Sequence, residues 1–324
     1  HDTSGIKEGS YTEAFTETLI KLAEADDKVV AITAAMPDST GLLPFRERFP
    51  DRIFDVGIAE QHAETEAAGM SIGVMRPVVA VYSTFMSRAF DKVNLDVGLH
   101  RQPVIFCLDR AGVTGDDGAS HNGLLDMVLF TKIPGMTVFA PSSYQELQVQ
   151  LSDALAMCPD GPALVRWSKQ SARGVPEEQG GAGVAGRLVR EGTDVCLIGV
   201  GQLLDDAVEA AERLEARGVS ASVWDPRVIT PVDRALVEHA SRFPLVVTIE
   251  DGVRDGGAGD GFRDAIEDHL SSTGSDHGAC KVRVLGMPTV YVHHDKPDTI
   301  LGRYGLNADG VVQEVLTSLG REPR

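Results

Sequence analysis

Cysteine is scarce in this chain of 324 residues, which contains only four. They are scattered along the sequence, at Cys107, Cys158, Cys196 and Cys280, and three of the four lie in or beside apolar runs. Disulfide frameworks and zinc sites need several cysteines at short, regular spacings. The sequence therefore predicts buried thiols in a reducing compartment, with no disulfide scaffold and no metal cluster.

Long hydrophobic runs are also missing. No stretch approaches the roughly 20 apolar residues that a membrane-spanning helix needs. The first ten residues, HDTSGIKEGS, contain no apolar core of a signal peptide. We therefore expect no membrane association and a cytoplasmic location.

Positive charge is in deficit, because 30 lysines and arginines stand against 48 aspartates and glutamates and leave a net charge of -18. A surface of this sign repels nucleic acids and anionic membranes. We expect no nucleic-acid partner. An anionic substrate would have to be held by a few locally placed arginines.

The chain alternates amphipathic segments with short apolar runs from residue 10 onward, which is typical of mostly parallel sheets covered by helices. Ser-x-x-Glu patterns predict that helices begin at Ser10 and at Ser143. The first half holds six predicted strands, at 29–33, 53–56, 78–84, 104–109, 136–141 and 163–167. The second half repeats the alternation, with predicted strands at 194–201, 220–226, 245–251 and 281–288.

Residues 174–193 interrupt this alternation, since they are rich in glycine and charge and lack a sustained period. A chain of this length accommodates about two domains. We therefore predict a domain at 1–174, a linker at 175–193 and a second domain at 194–324. The predicted fold class is α/β, with each domain a three-layer α/β/α unit around a mostly parallel sheet.

Glu60 is the first candidate site residue, in the segment GIAEQHAETEAAG at 57–69. It follows a predicted strand and begins a helix of small residues. An acid placed at the apolar end of a sheet is useful for proton transfer at neutral pH. The alternative is an ordinary glutamate that the helix dipole favours in the first turn.

Tyr82, Phe85 and Arg88 follow the end of another predicted strand. Aromatic side chains there can form a platform for a planar ring, with a guanidinium beside it. Two core aromatics and a surface arginine would give the same pattern.

A glycine-rich loop after the strand at 104–109 carries Arg110, Asp117 and His121. Open α/β sheets place ligand sites at the carboxyl ends of their strands. Arg110 could bind a phosphate, and the other two could act on a carbonyl or hydroxyl group. Arg166, near the end of a further strand, is a second candidate for an anion. The alternatives are a solvated turn and an ordinary surface charge.

Several segments, taken in order, resemble the 1-deoxy-D-xylulose-5-phosphate synthases, a branch of the transketolase-like thiamine-diphosphate enzymes. The sequence DRAG followed by DG-x-SH carries most of this likeness, because ordinary transketolases lack the DRAG arginine. The matching segments are AITAAMPDSTGL (31–42), FPDRIFDVGIAEQHA (49–63), PVVAVYSTFMSRAFD (77–91), PVIFCLDRAGVTGDDGASHNG (103–123) and EDGVRDGGAGDG (250–261).

The resemblance implies that thiamine diphosphate is the cofactor and that pyruvate and glyceraldehyde 3-phosphate are the substrates. Glu60 would hydrogen-bond N1′ of the aminopyrimidine ring. The pocket for that ring would be lined by Tyr82, Phe85 and Arg88, with Phe85 stacking on it. The product would be 1-deoxy-D-xylulose 5-phosphate, a precursor of isoprenoids and thiamine.

On the substrate side, the resemblance implies that Arg110 and Arg166 hold the acceptor phosphate. Asp117 and His121 would contact the reacting oxygens. The family also implies a homodimer formed across an apolar interface, to which residues 95–103 could contribute.

The chain departs from the family pattern because it contains no Gly-Asp-Gly motif followed by an asparagine. Those residues hold Mg²⁺ and the cofactor diphosphate in the family, whereas GDDG at 115–118 belongs to the substrate loop. We therefore expect the metal ligands on a domain absent from this chain, weak cofactor binding by this chain alone and, from the initial histidine, a trimmed polypeptide. The chain would then be the C-terminal half of such an enzyme. Alternatives are the small subunit of a two-chain transketolase or related carboligase, and an inactive homologue that acts as an assembly module.

Overall fold

A computed structural model describes residues 6–157, 161–176, 179–274 and 280–321 of the protein. Cys158 and residues 177–178 of the predicted linker lie outside this range. The fold is α/β, with two mostly parallel sheets flanked by helices, so the predicted fold class is confirmed. No helix among the described residues is long and apolar enough to cross a membrane.

The strands are β1 (Val29–Thr33), β2 (Ile53–Asp55), β3 (Arg76–Tyr82), β4 (Ile105–Asp109), β5 (Thr137–Phe139), β6 (Ala163–Arg166), β7 (Arg187–Arg190), β8 (Val195–Gly199), β9 (Ala221–Asp225), β10 (Val228–Thr230), β11 (Leu245–Val253) and β12 (Lys281–Met287). The helices are α1 (Tyr11–Ala25), α2 (Leu43–Arg48), α3 (Glu60–Ile72), α4 (Ser83–Met86), α5 (Phe90–Lys92), α6 (Asp126–Phe130), α7 (Tyr144–Met157), α8 (Leu204–Glu215), α9 (Arg234–Ala240), α10 (Ala258–Thr273), α11 (Pro297–Arg303) and α12 (Ala308–Ser318). Short 3₁₀ turns at Pro50–Arg52, Ser87–Ala89 and Gly201–Leu203 and a π-helical segment at Val93–Gly98 complete the list.

The first sheet has seven strands in the order β10-β5-β6-β4-β3-β1-β2. Its central strands are continuous apolar runs, and every residue of β1 and β4 is buried. Such runs are typical of parallel strands that helices cover on both faces. Helices α1 and α7 bury Phe15, Leu19 and Leu147 against one face, and α3 packs its alanines against the other.

The predicted helix starts agree with the structure. The Ser10 side chain accepts a hydrogen bond from the Glu13 amide at 3.1 Å, and Ser143 accepts one from the Glu146 amide at 3.1 Å. Each bond satisfies an amide of the first turn that has no partner within the helix.

The second sheet has five strands in the order β12-β11-β8-β9-β7. Helices α8 and α12 cover one face, and α9 and α10 cover the other. Two features of the structure differ from the predicted arrangement of two domains joined by a linker. Strand β7 lies within the range predicted as linker, and β10, from the second half of the chain, pairs antiparallel with β5 of the first sheet.

Arg227 binds part of the connecting segment between the two domains. Its side chain is fully buried, and its Nε donates to Glu146 at 2.8 Å. Its Nη1 donates to the carbonyl oxygens of Ala182, Gly183 and Ala185 at 3.1, 3.1 and 2.8 Å. One guanidinium thus joins helix α7, the segment after residue 181 and the turn between β9 and β10.

We expect Arg227→Met to lower the free energy of unfolding by about 3–5 kcal/mol, because it leaves the buried Glu146 carboxylate without its counter-ion. Urea unfolding followed by circular dichroism measures this loss, and limited proteolysis should show faster cleavage near residue 182. The matched control is Arg234→Met, since Arg234 is 88% exposed and pairs with Glu238 at the surface. Equal urea midpoints for the two variants would contradict the assigned role of Arg227.

Candidate active site

The register between β3 and β4 builds the centre of the site. Tyr82 pairs with Asp109 at the carboxyl ends of these parallel strands, so the next residue, Arg110, emerges beside the tyrosine. The Arg110 guanidinium carbon lies 4.0 Å from the centre of the Tyr82 ring, which is a cation–π contact.

Arg110 is also held by Ser39 and Asp109. Its Nη1 donates to the carbonyl oxygen of Ser39 at 3.0 Å and lies 3.2 Å from a carboxylate oxygen of Asp109. Asp109 is fully buried and accepts a hydrogen bond from the Thr12 hydroxyl at 2.7 Å. Burial raises the pKa of Asp109, and the charge of Arg110 opposes that rise. Sequence reasoning missed Asp109, although it immediately precedes the DRAG arginine.

Tyr82, Phe85 and His121 form a ring cluster beside this arginine. The Tyr82 and Phe85 rings are nearly parallel, at 12° with centres 5.8 Å apart. His121 meets Phe85 edge-on at 5.5 Å, and its Nδ1 lies 2.9 Å from the Ser120 hydroxyl. Tyr82 and Phe85 therefore form an aromatic platform with the imidazole of His121 at its edge, and its role in binding a planar ring stays a prediction.

Glu60 lies in the first turn of α3, where the connection from β2 brings it to the same edge of the sheet. It is buried, at 2% exposure, and its Oε1 is 3.6 Å from Nη1 of Arg88. The Arg88 guanidinium carbon in turn lies 5.3 Å from the centre of the Phe85 ring. Arg88 therefore links the carboxylate to the aromatic platform.

The loop that carries Asp117 and His121 is closed at its base, where Gly112 and Gly123 exchange two backbone hydrogen bonds of 2.9 and 2.8 Å. Gly112 has φ +73°, and a Cβ there would overlap Asp251 of the second domain, so only glycine fits. Asp117 is exposed in the middle of the loop and pairs with Lys169 at 2.7 Å.

Arg166 is placed differently from the other predicted residues. It is 3% exposed, and its guanidinium donates to Asp126 at 2.6 Å and to Asp251 at 2.9 Å. Burial lowers the pKa of Arg166, but the charges of the two carboxylates outweigh that effect and raise it. Among the described residues it shares no ion pair with the other predicted site residues. The role of Arg166 as a phosphate ligand stays a prediction. A phosphate would have to compete with two carboxylates for its guanidinium.

A cleft of about 450 Å³ adjoins the ring cluster at the junction of the two domains. Thr84, Ser120 and Asn122 line it from the first domain, and Val253, Val290 and Tyr291 from the second. Asn122 also donates to the carbonyl oxygen of Val292 at 3.4 Å. The second domain thus forms one wall beside His121. The described residues contain no group of three histidine, cysteine, aspartate or glutamate side chains that could hold a metal ion.

Two protein-family models match this chain, one for each domain. The transketolase pyrimidine-binding domain matches residues 7–175, and the transketolase C-terminal domain matches residues 185–311. The chain belongs to the transketolase family.

Curated relatives of this transketolase-family chain include the 1-deoxy-D-xylulose-5-phosphate synthase of Thermobifida fusca, which is 42% identical over 97% of the chain and 48% of the relative. The enzyme of the same name from Rhodococcus erythropolis is 44% identical over 94% of the chain and 46% of the relative. The chain therefore spans about half the length of the curated relatives that it matches.

Among solved structures, a chain described as "Split gene transketolase, inactive beta4 tetramer" is similar, with a TM-score of 0.85 and 28% identity. The match covers 97% of this transketolase-family chain and 99% of the other. It extends over both domains.

Glu250, in the second half of β11, is an acid that sequence reasoning missed. Its carboxylate accepts hydrogen bonds from the amides of Ala258 and Gly259, at 2.9 and 2.8 Å, in the first turn of α10. Burial nevertheless raises the pKa of Glu250 from 4.5 to about 8. The GGAGDG turn therefore binds an internal carboxyl group.

We expect this raised pKa to make the stability of the wild-type protein fall relative to Glu250→Gln between pH 4.5 and about 8. In that window the unfolded glutamate has lost its proton and the folded one retains it, so the wild type loses up to about 1.4 kcal/mol per pH unit. Urea unfolding of both proteins at pH 5, 6.5 and 8 measures the difference. A difference that stays constant over this range would contradict the assignment.

Proposed function

We propose that this chain supplies the pyrimidine-binding and acceptor-binding half of a thiamine-diphosphate-dependent 1-deoxy-D-xylulose-5-phosphate synthase. The observation that carries the proposal is the continuous group of Glu60, Arg88, Phe85, Tyr82 and Arg110 at one edge of the first sheet. The names of the curated relatives support the same reaction.

The geometry fits the pyrimidine end of thiamine diphosphate. Two nearly parallel rings, Tyr82 and Phe85, offer a flat apolar surface, and the buried carboxyl of Glu60 is linked to it through Arg88. When bound, the cofactor would supply an electron sink for the decarboxylation of pyruvate. Ligands for Mg²⁺ and for the diphosphate would come from another part of the enzyme.

Glu60 would hold and move a proton at N1′ of the cofactor pyrimidine, and Phe85 would stack on that ring. Arg88 would orient the Glu60 carboxylate through their 3.6 Å contact. The nearby rings and the dry sheet end would keep water from this carboxylate, which strengthens its electrostatic interactions.

On the substrate side, His121 and Asp117 would contact the reacting oxygens of pyruvate and of glyceraldehyde 3-phosphate. His121 is suited to this role because it lies at the edge of the platform, 5.5 Å from Phe85. Arg110 would bind the acceptor phosphate, with Arg166 as a second ligand. The Arg110 side chain is only 15% exposed, so a phosphate that reached its guanidinium would be bound with little screening by water.

We also propose that the enzyme is a homodimer in the cytoplasm and that it acts in the synthesis of isoprenoid and thiamine precursors. Leu95 and Leu99 lie within the predicted contact segment 95–103 and are 49% and 70% exposed. Exposed apolar side chains of this size favour burial against a second chain. The name of the similar solved structure, which describes a tetramer, supports self-association.

The alternative is a natural small subunit whose partner polypeptide carries the diphosphate-binding domain. The similar solved structure favours it, because a split-gene transketolase chain is covered over 99% of its length. An immunoblot of the source cells distinguishes the two: one band of about twice this length supports a single-chain enzyme, and a band of this length supports two chains.

We expect Glu60→Gln to lower carbon dioxide release from pyruvate by about 10²–10⁴-fold when the chain is reconstituted with a diphosphate-binding half, because the amide cannot exchange the proton. The matched control is Glu66→Gln, on the same helix, whose carboxylate lies 3.7 Å from His62 and outside the aromatic platform. Activity of Glu60→Gln equal to that of the control would refute the mechanism.

We expect Arg110→Ala to raise the KM for glyceraldehyde 3-phosphate by about 10–100-fold, since one charge-assisted hydrogen bond contributes about 1.5–3 kcal/mol. Steady-state kinetics with D-glyceraldehyde, which lacks the phosphate, is the comparison. Its KM should change far less. Equal effects on the two acceptors would show that Arg110 does not bind the phosphate.

A further inference from the structure

Helix α3 carries a second acid on the same buried face as Glu60. Glu64 follows Glu60 by four residues, and side chains at this spacing lie one above the other, with Cβ atoms about 5–6 Å apart. The rest of this face consists of small residues: Ala63, Ala67, Ala68 and Ser71. Nothing bulky on the helix therefore separates the two carboxyl groups.

Glu64 is completely buried, and neither of its carboxyl oxygens has a hydrogen-bond partner among the described residues. Buried carboxylates elsewhere in the chain contrast with it. Asp126 and Asp251 both bind Arg166, and Glu146 binds Arg227. An unpaired buried charge is far more costly than a neutral acid. Burial and the charge of Glu60 raise the pKa of Glu64 well above its usual range.

The charged groups on the elements that pack closely against α3 do not offer Glu64 a counter-ion. Arg76 on β3 binds Asp26, and Lys92 lies 3.5 Å from Asp91 on α5. Two further charged groups face the helix. Asp96, in the 93–98 segment, accepts a hydrogen bond from Thr65, and Arg88, in the 87–89 turn, lies 3.6 Å from Glu60. Glu60 is thus the acid that receives the local positive charge.

We propose that Glu64 is a positioning residue that holds a proton for Glu60, so that the two acids share one negative charge. This inference rests on the proposed function of Glu60. Glu64, which lacks a partner, carries the proton of the pair, and Glu60 lies beside Arg88. The i, i+4 spacing on α3 places the two carboxyl groups within side-chain reach of each other.

The proton transfer that this arrangement permits is balanced within the pair. The pair holds one proton, carried by Glu64; when the O–H bond of Glu64 breaks, an O–H bond forms on Glu60, and the negative charge of the pair moves to Glu64. The reverse transfer restores the first state. Glu64 acts through Glu60 and does not touch the substrate, and two acids so close titrate as a coupled pair.

Infrared and ¹³C NMR spectroscopy can test the protonation of Glu64 in a chain labelled with ¹³C at the glutamate side-chain carboxyl. Neither measurement needs the cofactor or an activity assay. At pH 7 we expect a protonated carboxyl signal in the wild type that is absent from Glu64→Gln and present in the control Glu66→Gln. Glu250 gives a separate signal that both variants retain. A wild-type spectrum at pH 7 that equals that of Glu64→Gln would overturn the proposal.

A second measurement leaves position 64 unchanged and so does not depend on whether Glu64→Gln folds. Because the charge of Glu60 raises the pKa of Glu64, Glu60→Gln should move the titration midpoint of the Glu64 signal downward by about one pH unit or more. An unchanged midpoint would show that the two acids are not coupled and would also overturn the proposal.

Reconstitution separates this inference from the proposed function. With a diphosphate-binding half, Glu64→Gln should lower kcat for pyruvate decarboxylation several-fold and leave the KM for pyruvate unchanged. Coupled spectra in a chain that never releases carbon dioxide would overturn the proposed function alone. Normal catalysis by Glu64→Gln would overturn the positioning role alone.

Discussion

The parallel pairing of β3 with β4 is the constraint on which the rest of the site depends. It places Tyr82 opposite Asp109, so the chain leaves the sheet with Arg110 already above the tyrosine ring. The buried Asp109 carboxylate, bonded to Thr12, then keeps the guanidinium from turning toward solvent. A shift of one residue in this register would point Arg110 to the opposite face of the sheet and separate it from Phe85.

The distribution of charge follows from the same architecture. A chain with a net charge of -18 contains more carboxylates than cations, and several are buried where strands end. Arg166 binds one carboxylate of α6 and one of β11, whereas Arg227 binds Glu146 of α7 and backbone carbonyl oxygens of the segment after residue 181. The Arg166 ion pairs thus join the two domains, next to Leu125 of the cleft lining. Glu64 is an exception, because it is buried beside another acid and away from free cations among the described residues.

Much of the fold could be predicted because parallel strands buried on both faces leave continuous apolar runs in the sequence. All six strands predicted for the first half are present, within two residues at each end or fewer. Strand β7 was hidden in a glycine-rich segment, since RLVR is a short edge strand whose pairing with β9 depends on tertiary contacts. Strand β10 was also missed, because three residues carry no period and its partner β5 lies in the other half of the chain.

The sequence by itself determined the fold class, the family and the presence of Glu60, Tyr82, Phe85, Arg88, Arg110 and His121, because strand ends and short motifs are local features. Only the tertiary structure decided which of these meet. It brought all six together at one edge of the first sheet. Two other candidate residues lie apart from them: Asp117 is exposed beside Lys169, and Arg166 lies between two carboxylates. It also revealed Glu64, whose burial depends on how α3 packs against the sheet. Burial and charge pairing arise between segments distant in sequence, so no local pattern encodes them.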